Sequence, residues 1–574
     1  MGANSSSAHG PEPSLSAEEE AQRESEWKYE RMAAREAEWK LRARAECRQR
    51  LFPTESIMED ADLSPSVPQR HGKQTCPSHL ALLPPEIIEN VLSSLDNSSI
   101  KSLRLTCRRF GAIAALRINR VFLSANPLNI QVFRAIADHD VLRHRIVEIV
   151  YDDARLWRNG AEAPEARHPG APNYCCYYLE DGPDMEWFES ECDWNLFDLS
   201  ERQKDDDPKR PEYAALVRRV HAGLSPEESW EYYDGLLRQQ EEIMASGADA
   251  DALRYGLQRF PALRKVTVTP ATHGWLFTPL YETPMIRAFP YGFNCPIPRA
   301  WPYAVDDHRP LQVAPWEDEK TRWRGFNLVT KILAEGRHNV VEYEIDGHHL
   351  GTGLNCRIFD DRCNEYDAFV LVLCLPGFKK LQLSLFVDGQ QRLGWPALRN
   401  GLLRNALAEA TQLEHVSIAT GRFDHAWEYE PPGLGRFLPI ECWPKLQHFE
   451  LWHVDVHLAD LLSVVSQLPD GLLSLQLNSL HMCSGCYREL LDQMRDRLHW
   501  CEQRPQARVM IGVHFISGIH DIPGRTIWLE KEIDDFFKRG GINPFELEDI
   551  RYLHLPRFGM GVVRDAFDMD YVRP

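Results

Sequence analysis

Apolar positions along this chain follow two spacings. Between Leu82 and Ala115, residues Ile87, Ile88, Val91, Leu92 and Leu95 fall on one helix face, just after Pro84 and Pro85 at a helix start. Asp96 and Asn97 are expected to break that helix, Ser98 or Ser99 to cap a second carrying Ile100, Leu103 and Cys107, and a third to run through Phe110, Ile113 and Leu116. About 35 residues bury too little apolar surface to fold alone, so this trio must rest on neighbouring structure, a partner, or both.

Beyond the trio the period changes. A helical stretch leads repeatedly into a short strand of the form L-x-x-L-x-L: Ile146, Ile149, Tyr151; Leu263, Val266, Val268; Val340, Tyr343, Ile345; Phe378, Leu381, Leu383; Leu413, Val416, Ile418; Leu446, Phe449, Leu451; Leu472, Leu475, Leu477; Val509, Ile511, Val513; and Ile550, Leu553, Leu555. Such units predict a mainly α/β, leucine-rich-repeat-like solenoid over 121–574, with strands stacked in parallel, apolar residues inward and helices outside. Intervals of 26 to 38 residues between Val340, Phe378, Leu413, Leu446 and Leu472 lie at or above the usual repeat length, so the array should be irregular. An α/β domain of another topology is the competing reading. Two long insertions interrupt the pattern, an acidic one at 152–207 and an aromatic one at 270–323 that should pack against the array.

The trio also has an order. Leu83-Pro84-Pro85-Glu86-Ile87-Ile88, then Val91-Leu92, Leu95, Leu103-Arg104-Leu105 and Cys107-Arg108-Arg109-Phe110 closely resemble the F-box, although Thr106 replaces a common aliphatic and Phe110 a frequent tryptophan. The resemblance, placed at 80–120, implies docking on the Skp-type adaptor of a cullin ubiquitin ligase. Leu83, Pro84, Ile87, Ile88, Val91, Leu92, Leu95, Leu103 and Phe110 would form the contact, some of them shared with the trio's own packing. F-box followed by leucine-rich repeats is a known arrangement, which adds weight to the solenoid.

Residues 1–79 are polar and read as a disordered arm containing a charged helix over about 16–50, started by a Ser16/Glu19 capping box. Met1-Gly2-Ala3-Asn4-Ser5-Ser6 fits the myristoylation pattern at Gly2, but a single acyl chain anchors only marginally. The chain has 574 residues, 14 cysteines and a formal charge of −20. The cysteines, without a signal-like start, read as reduced thiols of a cytoplasmic or nuclear protein, and the charge argues against nonspecific nucleic-acid binding.

Candidate chemistry is sparse. Cys483 and Cys486 have C-x-x-C spacing with His481 nearby, but a zinc site needs two further ligands that the sequence does not provide, so no metal or cofactor is expected. Gly347 to Gly353, GHHLGTG, looks like a phosphate loop but lacks its lysine and following helix. It reads as a hairpin turn before an extended Cys356–Phe359. The leading expectation is therefore a non-catalytic substrate-recognition subunit of a Skp/cullin/F-box ligase. The alternative is an adaptor-binding structural or signalling protein without ubiquitin transfer. Side chains alternate along a strand, so the x positions should share one open surface. Glu344, His415, His448, Glu450 and an outward Trp452 are the candidates there to contact a protein substrate.

Overall fold

A computed structural model of the chain describes residues 83–95, 97–114, 116–158, 184–204, 215–216, 218–219, 222–302, 313–421, 430–517, 520–545 and 556–567. The arm, the Gly2 pattern and the Ile550, Leu553, Leu555 segment lie outside these residues. The trio comprises α1 (Pro85–Ser93), α2 (Asn97–Thr106) and α3 (Arg108–Ile113). Proline at the first position of α1 forfeits an N–H that would have no helical partner there. Ile88, Ile100, Phe110 and Ala114 form the trio's buried centre. Two arginines tie its ends: Arg109 donates to the Leu83 carbonyl (2.9 Å) and Arg104 to the Ala114 carbonyl (2.7 Å). Asn97 does not end α1 but starts α2. Its side chain donates to the Arg117 carbonyl (2.7 Å) and accepts from the Arg117 N–H (2.8 Å), joining the trio to the next strand.

That strand, β1 (Arg120–Leu123), begins a 12-stranded sheet among the described residues. In chain order follow β2 (Glu148–Asp152), β3 (Lys265–Thr269), β4 (Glu342–Ile345), β5 (Leu354–Asn355), β6 (Lys380–Phe386), β7 (His415–Thr420), β8 (His448–Trp452), β9 (Asp455–His457), β10 (Ser474–Asn478), β11 (His481–Ser484), β12 (Arg508–Ser517), β13 (His520–Leu529) and β14 (Val562–Asp565). The sheet runs β1-β2-β3-β4-β6-β7-β8-β10-β12-β13-β14, and β5 adds to β6; β9 and β11 form a separate parallel pair. Pairing is parallel as far as β12 and antiparallel for β12–β13 and β13–β14.

Period-2 alternation sorts the strand residues between two faces. Val266, Tyr343, Leu381, Val416, Phe449 and Leu475 are fully buried and join one core with helix residues such as Leu253, Phe326, Val329, Phe369, Leu403, Leu461 and Leu490. Each such aliphatic contributes about 1.5–3 kcal/mol relative to exposure. The expected L-x-x-L-x-L strands are therefore present within the described residues. β1, β5, β9, β11, β13 and β14 were not anticipated, and the antiparallel end departs from uniform parallel stacking.

Both insertions contribute packed structure. Helices Asp184–Lys204 and Pro226–Ser246 enclose Trp187, Phe188, Tyr233 and Leu237 with Phe293 and Cys295. Trp301, Trp316 and Trp323 enter the main core. A buried ionic joint ties the Ala248–Arg259 and Arg324–Glu335 helices to β2. Arg324 grips Asp249 through two nitrogens (2.5 and 2.9 Å), and the Tyr151 hydroxyl donates to the same carboxylate at 2.6 Å. Burial raises the Asp249 pKa, but Arg324 and Tyr151 outweigh it and hold the group below the usual carboxylate range. Removing one partner strands the other charge, so Arg324→Ala should cost about 3 kcal/mol, read as a lowered midpoint in urea unfolding, and Arg324→Lys should cost less.

Candidate functional site

Two surfaces hold the residues singled out from the sequence. On the trio, Ile88 (2% exposed) and Phe110 (3%) are internal, because their helix faces turn towards Ile100 and Ala114. Leu83, Leu92, Leu95 and Leu103 are partly buried, while Pro84, Ile87 and Val91 are exposed. Leu105, absent from the predicted contact, is 88% exposed, and Ile113 is also exposed. The signal for Leu105 was available, since it falls off the Ile100–Leu103–Cys107 face of α2. Exposed Ile87, Val91, Leu105 and Ile113 on so small a unit leave apolar surface uncovered by the described residues.

The F-box domain family model matches residues 80–120. This chain carries an F-box domain. F-box domains bind Skp-type adaptors, typically linked to a cullin, and F-box proteins are generally non-catalytic substrate adaptors. No curated protein matches the chain.

The polar columns of the sheet make up the second candidate surface. Continuous register places Glu148, Lys265, Glu342, Lys380, His415, His448, Ser474 and Arg508 side by side. Charges alternate along it. Glu148 pairs with Arg120 (2.5 Å) and Lys265 (3.2 Å), and Glu344 with Lys265 (2.7 Å) and Lys380 (3.0 Å). Thr267 Oγ1 lies between the two carboxylates, at 3.1 and 3.3 Å. Burial opposes the Lys265 ammonium, but Glu344 and Glu148 outweigh it and raise its pKa. Farther along, His415 meets Glu450 (3.3 Å) and His448 meets the Ser474 hydroxyl (2.8 Å), with the two imidazoles 5.3 Å apart. Burial, followed by neighbouring His415, lowers the His448 pKa.

The expected open surface is largely closed. Glu344 and Glu450 are buried within these pairs, along with Thr267, Gln382, Ser417 and Gln476, while His415 and His448 stay half-buried. Trp452 is not an outward indole. It is 5% exposed, packed with Met510 of β12 and Trp528 of β13, and covered by the His349 ring at 4.8 Å. The antiparallel end that sequence periodicity did not reveal supplies this cover. From the other side, Tyr281 of the aromatic insertion packs over Arg120 and Phe122, and Trp275 meets Phe567 near the C-terminus.

GHHLGTG is not a hairpin turn. It carries the chain from β4 to β5, which pairs parallel with β6, and Cys356–Phe359 is a 3-10 helix because the Asn355 side chain caps the Arg357 N–H. The loop's close approaches explain two of its glycines: a Cβ would come within 2.1 Å of the Thr352 oxygen at Gly347 and within 2.6 Å of the β6 backbone at Gly353.

The C-x-x-C motif spans β11 and the start of the Tyr487–Asp496 helix, with Cys486 immediately before it. Among the described residues, the potential metal-holding group is Glu317, Cys363 and Glu365, not this motif. Lys320 bridges both of those glutamates at 2.8 and 3.4 Å, making it an ion-pair cluster.

His481 pairs with Asp455 at 3.0 Å across β9–β11. Its pKa is pushed up to about 10 by that carboxylate, then by Cys483. A raised histidine pKa contributes stability that is fully present below the unfolded value of 6.5 and is lost as pH rises through about 10. Thermal midpoints should fall over that interval, and Asp455→Asn should flatten the dependence.

Proposed function

We propose that this protein is the substrate-recognition subunit of a Skp/cullin/F-box ubiquitin ligase. The observation that carries the reading is the F-box match together with the uncovered Pro84, Ile87, Val91 and Leu105 on its surface. Behind it, the sequential parallel strands are read as a leucine-rich-repeat-like solenoid, which supplies the rigid platform such a subunit needs. The polar face of that platform holds a protein substrate, with half-buried His415 and His448 reachable at the rim and Glu344, Glu450 and Trp452 fixing the surrounding geometry. The mechanism is positioning: the adaptor and cullin bring a conjugating enzyme, and the shared scaffold raises its effective concentration at the substrate. The ten described cysteines are free thiols, which fits work in the cytoplasm or nucleus.

Ile87 and Leu105 are exposed, so truncating them leaves the trio's buried centre intact. Ile87→Ala combined with Leu105→Ala should weaken capture of a Skp-type adaptor by about 2 kcal/mol or more, roughly thirtyfold, with an unchanged circular dichroism spectrum. Undiminished capture overturns the docking surface. Recovery of the adaptor without cullin from cells favours the structural or signalling alternative over ubiquitin transfer.

A further inference from the structure

The β9–β11 pair carries a cluster of thiols and titratable groups that neither the F-box nor the polar face uses. Cys483 and Cys486 flank a bend at the end of β11, beside the His481–Asp455 pair. We propose that Cys483 and Cys486 form a redox-active dithiol, which a low-molecular-weight disulfide of the glutathione class converts to an intramolecular disulfide.

Local geometry sets Cys483 apart from the other thiols. Met482 pairs with Val456 and Ser484 with His457, so Cys483 is the extra residue of a bulge in β11. A bulge bends its strand and re-aims the side chain there. Cys483 is exposed, and its Sγ lies 3.8 Å from His481 Nδ1. Of the ten described cysteines only Cys374 is also exposed, and its sulfur meets the Glu409 carboxylate at 3.8 Å instead. The two exposed sulfurs face opposite charges.

The attacking species in disulfide exchange is the thiolate, which a neighbouring cation assists and a neighbouring anion hinders. His481 is held as a cation by Asp455, whose carboxylate meets the same Nδ1 at 3.0 Å. Burial and then Glu409 raise the Cys374 pKa. Cys483 is therefore the thiol that reacts first.

Cys486 is placed to complete the reaction. Ser484 is extended and Gly485 has a φ of 76°, the succession of conformations at the centre of a type II turn. Such a turn keeps its outer Cα atoms within about 7 Å, close to the span of a disulfide. Cys486 lies extended just before the Tyr487–Asp496 helix, and its side chain does not cap that helix. In the first step the Cys483 thiolate attacks one sulfur of glutathione disulfide, breaking its S–S bond and releasing one glutathione thiolate. The Cys486 thiolate then attacks Cys483 Sγ and releases the second. The two protein thiols give up two electrons and two protons, which convert glutathione disulfide to two molecules of glutathione. The new bond ties β11 to the start of the helix.

The test is incubation of the reduced full chain with glutathione disulfide, then acid quenching, alkylation of the remaining thiols and peptide mass spectrometry. Cys483 and Cys486 should become protected together, as a disulfide that dithiothreitol reverses, about tenfold faster than Cys374 acquires glutathione. Cys486→Ser should halt the reaction at a glutathione adduct on Cys483, and Cys483→Ser should abolish the fast protection of Cys486. His481→Gln should slow Cys483 by about tenfold and leave Cys374 unchanged. Each serine variant exchanges a single sulfur for oxygen, so the pair reports on the dithiol even where His481→Gln fails to fold. Equal rates at Cys483 and Cys374, a glutathione adduct on Cys483 that Cys486 does not resolve, or an unchanged rate in folded His481→Gln overturns the proposal.

Discussion

Strand registration holds this molecule together. Before β4, β6, β7 and β8, two consecutive N–H groups converge on one carbonyl of the preceding unit: Val341 and Glu342 on Arg264, Lys379 and Lys380 on Val341, Glu414 and His415 on Lys379, Gln447 and His448 on Glu414. Leu473 and Ser474 repeat the arrangement on Gln447. A slip of one residue would turn every leucine of a strand to the polar face and every charge into the core. The forked contacts and the apolar alternation therefore enforce the same register from two directions. The helices can differ in length and the insertions in size because neither disturbs that ladder.

The alternating charges on the polar face depend on the same register. Lys265 reaches both Glu148 and Glu344 only because β2, β3 and β4 are level. Paired ions of this kind add little net stability once desolvation is counted, but mispaired ones are costly, so the network penalises every alternative alignment. Apolar burial drives the sheet together, and the charges discriminate among the ways it could assemble.

What was legible in the sequence follows from this division. Leu381 and Leu383, or Val416 and Ile418, announce a strand because burial on one face imposes period 2. The F-box was legible because its residue order is specific over a short span. Trp452 was placed correctly on the polar face of β8, yet its burial depends on Met510 and Trp528, residues far along the chain that no local pattern connects to it. GHHLGTG misled for a related reason: glycines signal a tight backbone but not whether the chain returns antiparallel or advances into β5. β13 carries Pro523 and Gly524, and Gly561 immediately precedes β14; these break the repeating signature just where the sheet changes direction.

The joint between Asn97 and Arg117 has a mechanical consequence. Eleven strands along the sheet path, at about 4.8 Å spacing, put the far edge roughly 48 Å from the end where the trio attaches. On a lever of that length, a rotation of about 10° at the joint carries the far edge through roughly 8 Å, more than one strand spacing. One asparagine side chain, making two short hydrogen bonds to a single backbone residue, helps set where anything held on the distant strands comes to lie relative to whatever grips the trio.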